Sequence, residues 1–293
     1  MASLLRQIAL VRAASAHVKI GDFLTVSAAI QRQVTRDLAP IWEISATIDA
    51  FEKVSDVPVG YWPVIIVDKL PDPSLAGVHE DVNGQPLALV VAASKIEDWS
   101  VAASHEVLEM LVDPYGNRLV PGDSPKAGQG RVRFLVEICD PSEGAENGYS
   151  SNGVRVSDFY TPNFFDPFPS AGVRYSFSGN IKKPHEVLKG GYLTWQELAK
   201  GEWWQKTRFG EKPGFRPLQG IDQRATGNLR AAVDRQSIEH TQKAIANRPT
   251  RPKHEGKTEA VNDEASKFIA KALMKLDLGG GPKLGGWIPI GGH

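Results

Sequence analysis

The sequence has one cysteine, no net charge and no apolar run of membrane-spanning length, and each of these absences excludes a class of protein. Cys139 stands alone, which excludes an intramolecular disulfide and suits a reducing compartment. The 34 Lys and Arg residues balance 34 Asp and Glu residues, so no overall field attracts nucleic acid or an acidic membrane surface. Arg6 and Arg12 interrupt residues 1–16, which therefore lack the apolar core of a secretion signal. We expect a cytoplasmic or virion-associated protein with no membrane and no nucleic-acid partner.

The chain also lacks two common catalytic motifs. It has neither a phosphate-binding glycine loop nor a Gly-x-Ser-x-Gly nucleophile elbow, which argues against the enzyme classes that depend on them. Its composition is that of an ordinary globular protein, with 41% apolar and 23% charged residues over 293 positions. That length accommodates one sizeable domain with appendages, or two small domains.

Residues 104–114 (SHEVLEMLVDP) carry the clearest chemical signal. Their apolar members predict a short buried helix, which Ser100 or Ser104 would cap and Pro114 would stop. The apolar members are Val107, Leu108, Met110, Leu111 and Val112.

One stripe of this predicted helix carries an imidazole and two carboxylates. His105, Glu109 and Asp113 follow one another at about 40° around the helix, and Glu106 lies beside them. Such groups are costly to bury unpaired, and a bound cation would remove that cost.

The string from His105 to Glu109 is a variant of His-Glu-x-x-His, in which two histidines bind zinc and the glutamate is a general base. Here Glu109 replaces the second histidine, and a carboxylate can also ligate zinc. The pattern predicts His105 and Glu109 as metal ligands and Glu106 as the base, with zinc, manganese or iron as the ion. The alternative interpretation is a simple (i, i+4) hydrogen bond between His105 and Glu109.

The order of elements before this helix resembles the N-terminal lobe of the zincin metallopeptidases, where a mixed sheet precedes the active-site helix. The resemblance implies an α+β fold, with residues 87–93 as the cleft-edge strand that pairs with an extended peptide substrate. The pattern predicts strands at 4–13 (a helix is the alternative there), 41–51, 62–67 and 87–93, and an amphipathic helix at 27–38 that ends at Pro40.

A second acidic segment follows the motif. Residues 131–138 read as a strand, and this strand brings Glu137, Cys139 and Asp140 into range. Zincins of the glutamate type take their third ligand from a Glu after the first helix, so the resemblance implies Glu137, with Asp140 and Asp113 as alternatives. Cys139 is either a thiolate ligand or a small buried residue.

A narrower resemblance comes from two strings taken together. Ser-His-Glu-x-x-Glu-x-x-x-Asp-Pro, followed by Glu137-Ile138-Cys139-Asp140, is similar to HExxE proteins that include the plant exordium-like group and uncharacterised bacterial and phage relatives. The similarity covers about residues 85–165. It implies a metal-site fold more than a particular reaction.

Three further polar residues have open interpretations. Tyr160 lies in an aromatic loop and is either an electrophilic helper that stabilises an oxyanion or part of an aromatic plug with Phe159, Phe164 and Phe165. His79 and His185 are interpreted as surface or structural histidines, although the loop of His79 leads into the presumed edge strand.

The C-terminal third reads as an appendage. Residues 1–210 are predicted to form the zincin-like α+β domain, within which Thr194 and Glu197 form a capping box for a short helix. Residues 211–293 are predicted as a mostly helical arm, with helices at 224–246 and 264–276, a polar linker and a Gly-rich tail. This arm would bind a protein partner or mediate self-assembly.

Two functions follow from these patterns. The first is a zinc-dependent peptidase-like hydrolase acting on a peptide or protein. The alternative is a structural or interaction protein, for example a virion component, with the same fold but an inactive site or a purely structural metal. An enzyme needs an open coordination position, whereas a structural site would be closed by a further ligand such as Asp113 or Asp140.

Overall fold

In the residues that it describes, the computed structural model is a mixed α+β protein with three β-sheets and few helices. It describes residues 5–13, 16–70, 75–82 and 84–221, together with 229, 230, 232–234, 236 and 237. None of the helices in these described parts is both long enough and apolar enough to cross a membrane.

The first sheet has five strands in the order β2-β1-β3-β5-β4. The strands are β1 (Arg6–Arg12), β2 (Ala46–Phe51), β3 (Trp62–Val67), β4 (Gly77–Val82) and β5 (Gln85–Val91). Strands β2, β1, β3 and β5 run parallel, and β4 returns antiparallel along β5 as the outermost strand. The edge strand is therefore β4, not the predicted 87–93, because the turn at Gly84 folds residues 77–82 back into a hairpin.

Alternation along the strands divides the apolar residues between the two faces of this sheet. In β3, Val64 and Ile66 join the main core with the helices, whereas Ile65 and Val67 belong to a smaller apolar cluster on the opposite face. The strand prediction at 62–67 is confirmed, because a continuous apolar run suits a central strand that is covered on both faces.

Two helical stretches cover the main core. The first consists of α1 (Ile20–Arg32), a π-helical turn (Gln33–Leu38) and one further turn, α2 (Ala39–Trp42). The predicted stop at Pro40 is wrong, because the helical backbone continues from the π-helical turn through Pro40 and ends at Glu43, which has a left-handed φ of 56°. The second stretch is α3 (Ile96–Val112), whose last nine residues are all buried.

The second sheet is antiparallel, in the order β12-β11-β10-β7-β6. A separate hairpin of β8 and β9 packs against α3. The predicted helix at Thr194 is wrong, because residues 192–197 form β10, paired on both sides, and this pairing overrides the local capping-box pattern. The strands are β6 (Leu119–Asp123), β7 (Arg131–Leu135), β8 (Tyr149–Ser151), β9 (Val154–Val156), β10 (Tyr192–Glu197), β11 (Trp203–Thr207) and β12 (Gly214–Leu218).

The predicted boundary at residue 210 falls inside the β11–β12 hairpin. Beyond it, the described residues among 229–237 are helical, and we refer to them as the C-terminal helical segment. Leu229 and Val233 of this segment pack with Trp203 and Leu218 of the second sheet. The predicted helix at 264–276 and the Gly-rich tail lie outside the described residues.

Candidate metal centre

Four parts of the fold bring charged side chains to one place. Helix α3 supplies His105, Glu106 and Glu109, and β4 supplies His79. Glu137 and Asp140 follow β7, and Arg230 comes from the C-terminal helical segment. All of these residues are buried.

The donor atoms form two groups that share Glu109. His79, Glu109 and Glu137 each offer one ligand atom, and these three atoms lie within 4.8 Å of one another. The same limit holds for His105, Glu109 and Cys139. His105 and Glu137, which the sequence assigns to one metal, therefore fall into different groups, and His79 is the imidazole that accompanies Glu137.

The guanidinium of Arg230 lies inside the first group. Its Nη1 donates to Glu109 Oε2 at 2.5 Å and to Glu137 Oε2, and it lies 3.1 Å from His79 Nε2. Its Nε donates to Asp234 Oδ2 at 3.0 Å. A positively charged side chain thus stands where the three donor atoms converge.

The orientation of His79 suits a metal ligand. Its Nδ1 lies 3.2 Å from Glu106 Oε2, so this ring nitrogen carries the proton and donates it to the carboxylate. The lone pair of Nε2 then points to the centre of the donor group. Carboxylates orient metal-binding histidines in the same way.

Helix α3 also contains the contact between His105 and Glu109 that is the alternative to metal binding. His105 Nε2 lies 3.1 Å from Glu109 Oε2, which is the (i, i+4) pairing, and 3.5 Å from Asp140 Oδ1. Burial alone would lower the pKa of His105, but the charges of Glu109 and Glu106 and the hydrogen bonds to Asp140 and Glu109 together raise this pKa well above the ordinary value.

The buried carboxylates differ in how far nearby positive charges stabilise their ionised form. Burial raises the pKa of Glu109, but the charges of Arg230 and then His105 outweigh it and hold this pKa well below the ordinary value. Burial raises the pKa of Glu137 and of Asp140 well above the usual range, and the charge of Glu109 adds to both. The cluster is therefore short of positive charge even with Arg230 in place.

Glu106 stands between this cluster and a cavity. Burial raises the pKa of Glu106. The hydrogen bond from His79 and the positive charges of Arg230, His105 and His79 together outweigh burial and hold this pKa below the ordinary value. The cavity has a volume of about 540 Å³, and His105, Glu106, Gly77 and Arg230 are among the residues that line it. A carboxylate held ionised at a cavity wall has the position and the charge of a general base.

The other predicted site residues have different surroundings. Asp113 ends α3, and its two carboxylate oxygens accept the backbone N–H groups of Asn117 (3.1 Å) and Arg118 (2.8 Å). Cys139 is buried, and its backbone N–H donates to Glu109 Oε1 at 3.0 Å. Burial raises the pKa of the Cys139 thiol well above its ordinary value, and its sulfur is one of the donor atoms of the second group.

Tyr160 is fully buried and is not among the residues that line the cavity. Its ring stacks on Phe164 with centroids 4.4 Å apart, as in the aromatic plug interpretation. Its hydroxyl has no hydrogen-bond partner in the described part of the chain. Burial, followed by the charge of Glu137, raises its pKa well above the ordinary value, so the phenol keeps its proton.

The donor set itself fits a divalent cation. Besides the imidazole and carboxylate atoms that converge, Glu137 Oε1 is buried and has no hydrogen-bond partner among the described residues. Asp140 Oδ1 is also buried, and it lies 3.5 Å from His105 Nε2. Unpartnered buried carboxylate oxygens are costly, and metal coordination is one way to satisfy them. These His, Glu and Cys groups could hold a metal ion.

Sequence reasoning missed two members of this cluster. His79 was interpreted as a surface or structural residue in a loop, yet it lies on β4 and is 1% exposed. The His-Glu dipeptide directly before the presumed edge strand was the available signal. Arg230 carried no signal in the sequence, since it is one of several arginines in a polar segment.

No protein-family model matches the chain, and neither a curated protein nor a solved structure shows significant similarity to it.

Proposed function

We propose that this chain is a zinc-dependent, peptidase-like hydrolase. The observation that carries the proposal is the convergence of His79, Glu109 and Glu137 on one point, with Glu106 beside them at the wall of a cavity. One imidazole and two carboxylates form a donor set that zinc accepts, and it leaves a coordination position for water.

The residues of the chain divide the work. A zinc ion, when bound, supplies Lewis acidity and makes water a stronger acid. Glu106 takes a proton from the attacking water and returns it to the leaving amine. His79 holds Glu106 through Oε2, while Oε1 of Glu106 lies near Gly77, which also lines the cavity.

The architecture supports a peptide substrate and a zincin-like arrangement. A mixed sheet precedes α3, and in the described part of the chain β4 pairs with β5 alone. The N–H of Val91 donates to Ala76 O, so by antiparallel alternation Gly77, His79 and Asp81 direct their N–H groups away from β5. An extended peptide would pair with this open edge beside the cavity.

A second candidate function rests on Arg230. Its guanidinium ion-pairs with Glu109 and Glu137, and this partly neutralises the buried carboxylates without any metal. A protein with this arrangement could be a structural or interaction protein with an inactive site. The hydrolase would act on a peptide or protein substrate, whereas the structural protein would bind a protein partner or a second copy of itself.

Zinc titration by calorimetry tests the metal site. We expect one zinc per chain, and His79→Ala and Glu109→Ala should each weaken binding by more than the roughly 10- to 100-fold that loss of an outer-shell partner costs. His105→Ala decides which imidazole is the ligand. His17→Ala, an exposed control, should leave binding unchanged.

Turnover on a peptide library at saturating zinc tests the reaction. Glu106→Gln should retain zinc and lose roughly 10²- to 10⁴-fold in rate. Tyr160→Phe tests the predicted oxyanion role in the same assay. Full activity of Glu106→Gln would refute the assignment of the base, whereas a zinc-loaded wild type that cleaves no peptide would favour the structural alternative.

A further inference from the structure

Arg230 and a metal ion would occupy the same point. We infer that the donor group of His79, Glu109 and Glu137 has two mutually exclusive ligands, the guanidinium of Arg230 and a divalent cation. The C-terminal helical segment is then an intramolecular inhibitor of the site. This inference rests on the proposed function, because it concerns the regulation of the same centre.

The geometry around Nη1 of Arg230 supports a site shaped for a cation. The three atoms that contact this nitrogen are Nε2 of His79 and one Oε2 each of Glu109 and Glu137. A guanidinium NH₂ group carries two protons, so it cannot serve all three acceptors with linear hydrogen bonds. Three lone pairs that converge on one point suit the coordination sphere of a metal better.

A divalent ion would also complete the charge balance. Arg230 brings one positive charge to a cluster that contains Glu106, Glu109 and Glu137. Exchange of this group for a divalent ion adds one further positive charge beside Glu109 Oε2 and Glu137 Oε2, the two carboxylate oxygens that Nη1 contacts. The carboxylates are therefore not left uncompensated when the arginine departs.

The described contacts of the C-terminal helical segment are those of a docked element. Leu229 and Val233 pack on the second sheet, and Gln205 Nε2 donates to Ser237 Oγ at 2.7 Å. Arg230 is further held by Asp234. Apart from the guanidinium of Arg230 itself, these contacts do not involve α3 or β4, so release of the segment leaves those two parts of the donor group in place.

Departure of the segment would also change the cavity. Arg230, Asp234 and Ser237 line the same cavity as Glu106. The inhibitor therefore blocks the metal position and narrows the space for a substrate at the same time. Release of the C-terminal helical segment would therefore open the metal position and the substrate cavity together.

Zinc affinity of Arg230→Met measures the competition. The variant should bind zinc about 10- to 100-fold more tightly than wild type, because an arginine that occupies the site for 90–99% of the time lowers apparent affinity by that factor. Arg131→Met is the matched control, since Arg131 has a 62% exposed side chain and pairs with Asp123. Asp234→Asn should give a smaller gain, because it weakens the hold on Arg230.

Trypsin digestion of the wild type gives a readout that needs no variant. Arg230, whose side chain is 4% exposed, should resist cleavage without zinc and become cleavable as zinc displaces it, as followed by mass spectrometry. Cleavage after Lys200, in the exposed turn between β10 and β11, is the internal control and should not respond to zinc.

The outcomes separate the two proposals. Tighter zinc binding by Arg230→Met together with zinc-dependent cleavage after Arg230 supports both. Equal zinc affinity in wild type and variant, with Arg230 still protected, overturns the inhibitor and leaves the metal site intact. If neither protein binds zinc, manganese or iron, the proposed function fails, and the competition fails with it.

Discussion

At the scale of single residues, Glu109 is the centre of the cluster. Its Oε2 contacts His105 Nε2 and Arg230 Nη1, and it lies 3.9 Å from His79 Nδ1. Its Oε1 accepts the N–H of Cys139. Both oxygens are thus fixed by the fold, so the carboxylate presents one orientation to any cation that replaces Arg230.

Gly77→Ala should lower the turnover number without loss of metal. A Cβ at this position would lie 2.8 Å from Cγ and Oε1 of Glu106, so the carboxylate must shift. A displacement of about 1 Å in a catalytic group can cost about 100-fold in rate. We expect kcat to fall by roughly that factor, with one zinc per chain still bound, in steady-state kinetics and calorimetry.

Gly214→Ala is the control for this substitution. Gly214 also lies in a strand, and a Cβ there would meet no atom of the described chain within 4 Å. It should leave kcat unchanged. If Gly77→Ala has wild-type kcat, Glu106 is not the base or has room to adapt.

His185 should make stability depend on pH. Burial, followed by the charge of Lys206, lowers its pKa to about 4, and its ring stacks on Phe134 with centroids 4.6 Å apart. Since the unfolded chain binds the proton near pH 6.5, acidification from there to pH 4 favours unfolding, by up to about 3 kcal/mol, and the contribution is complete above pH 6.5.

Urea unfolding of His185→Asn at several pH values checks this. Asparagine tolerates the φ of 54° at this position, and it cannot titrate. The variant should lose less stability than wild type between pH 6.5 and pH 4. The exposed control His17→Asn should keep the wild-type dependence, and parallel curves for all three proteins would contradict the assignment.

At the scale of elements, the sequence predicts the strands and helices whose conformation depends mainly on their own residues. The apolar run at β3 predicts its strand correctly because composition and periodicity are local properties. The α+β class is the coarse part of what the resemblance of the element order implies, and the structure has it. The helix prediction at β10 is wrong because Thr194 and Glu197 have the spacing of a capping box. The segment is a strand because it pairs with β7 and β11.

The site was predictable only within α3 and shortly after it. His105, Glu106 and Glu109 lie on one helix, so their proximity follows from helix geometry. Arg230 is 121 residues from Glu109 and meets it only through tertiary packing. No local pattern in the sequence encodes such a contact.

Asp113→Ala should destabilise the end of α3 and leave the metal site intact. The substitution removes acceptors for two backbone N–H groups at a buried position, each a charge-assisted hydrogen bond. We expect a loss of about 2–4 kcal/mol in the free energy of unfolding by urea denaturation. Asp123→Ala, which breaks an exposed ion pair, should cost about 0–1 kcal/mol.

Zinc stoichiometry of the folded Asp113→Ala variant completes this test. One zinc per chain at wild-type affinity is expected, because both carboxylate oxygens serve the helix end. A loss of zinc would instead make Asp113 a ligand.

At the scale of the whole molecule, the cluster lies where the first sheet, α3 and the second sheet meet. β4 belongs to the first sheet, and Glu137 directly follows a strand of the second. The C-terminal helical segment packs on the second sheet and reaches the cluster through Arg230. Changes in the cluster should therefore be measurable as changes in global stability.

Arg230→Met should make folding stability depend on zinc. Loss of one partner of a buried ion pair costs about 3–5 kcal/mol, so the metal-free variant should be that much less stable than wild type. Zinc at about 100 times its Kd should restore about 2.7 kcal/mol. Urea unfolding with chelator and with zinc measures both values, and equal zinc stabilisation of wild type and variant would contradict this.

The presence of Arg230 in the cluster also affects whether the chain folds before or after it binds a metal ion. Many small metal-binding domains unfold when their ion is withheld, because nothing else offsets their ligands. This chain carries its own counter-ion, so it should reach the folded state in metal-free surroundings. The fraction of molecules with an accessible centre would then follow the free zinc concentration, and the protein would report metal supply after synthesis rather than require it during synthesis.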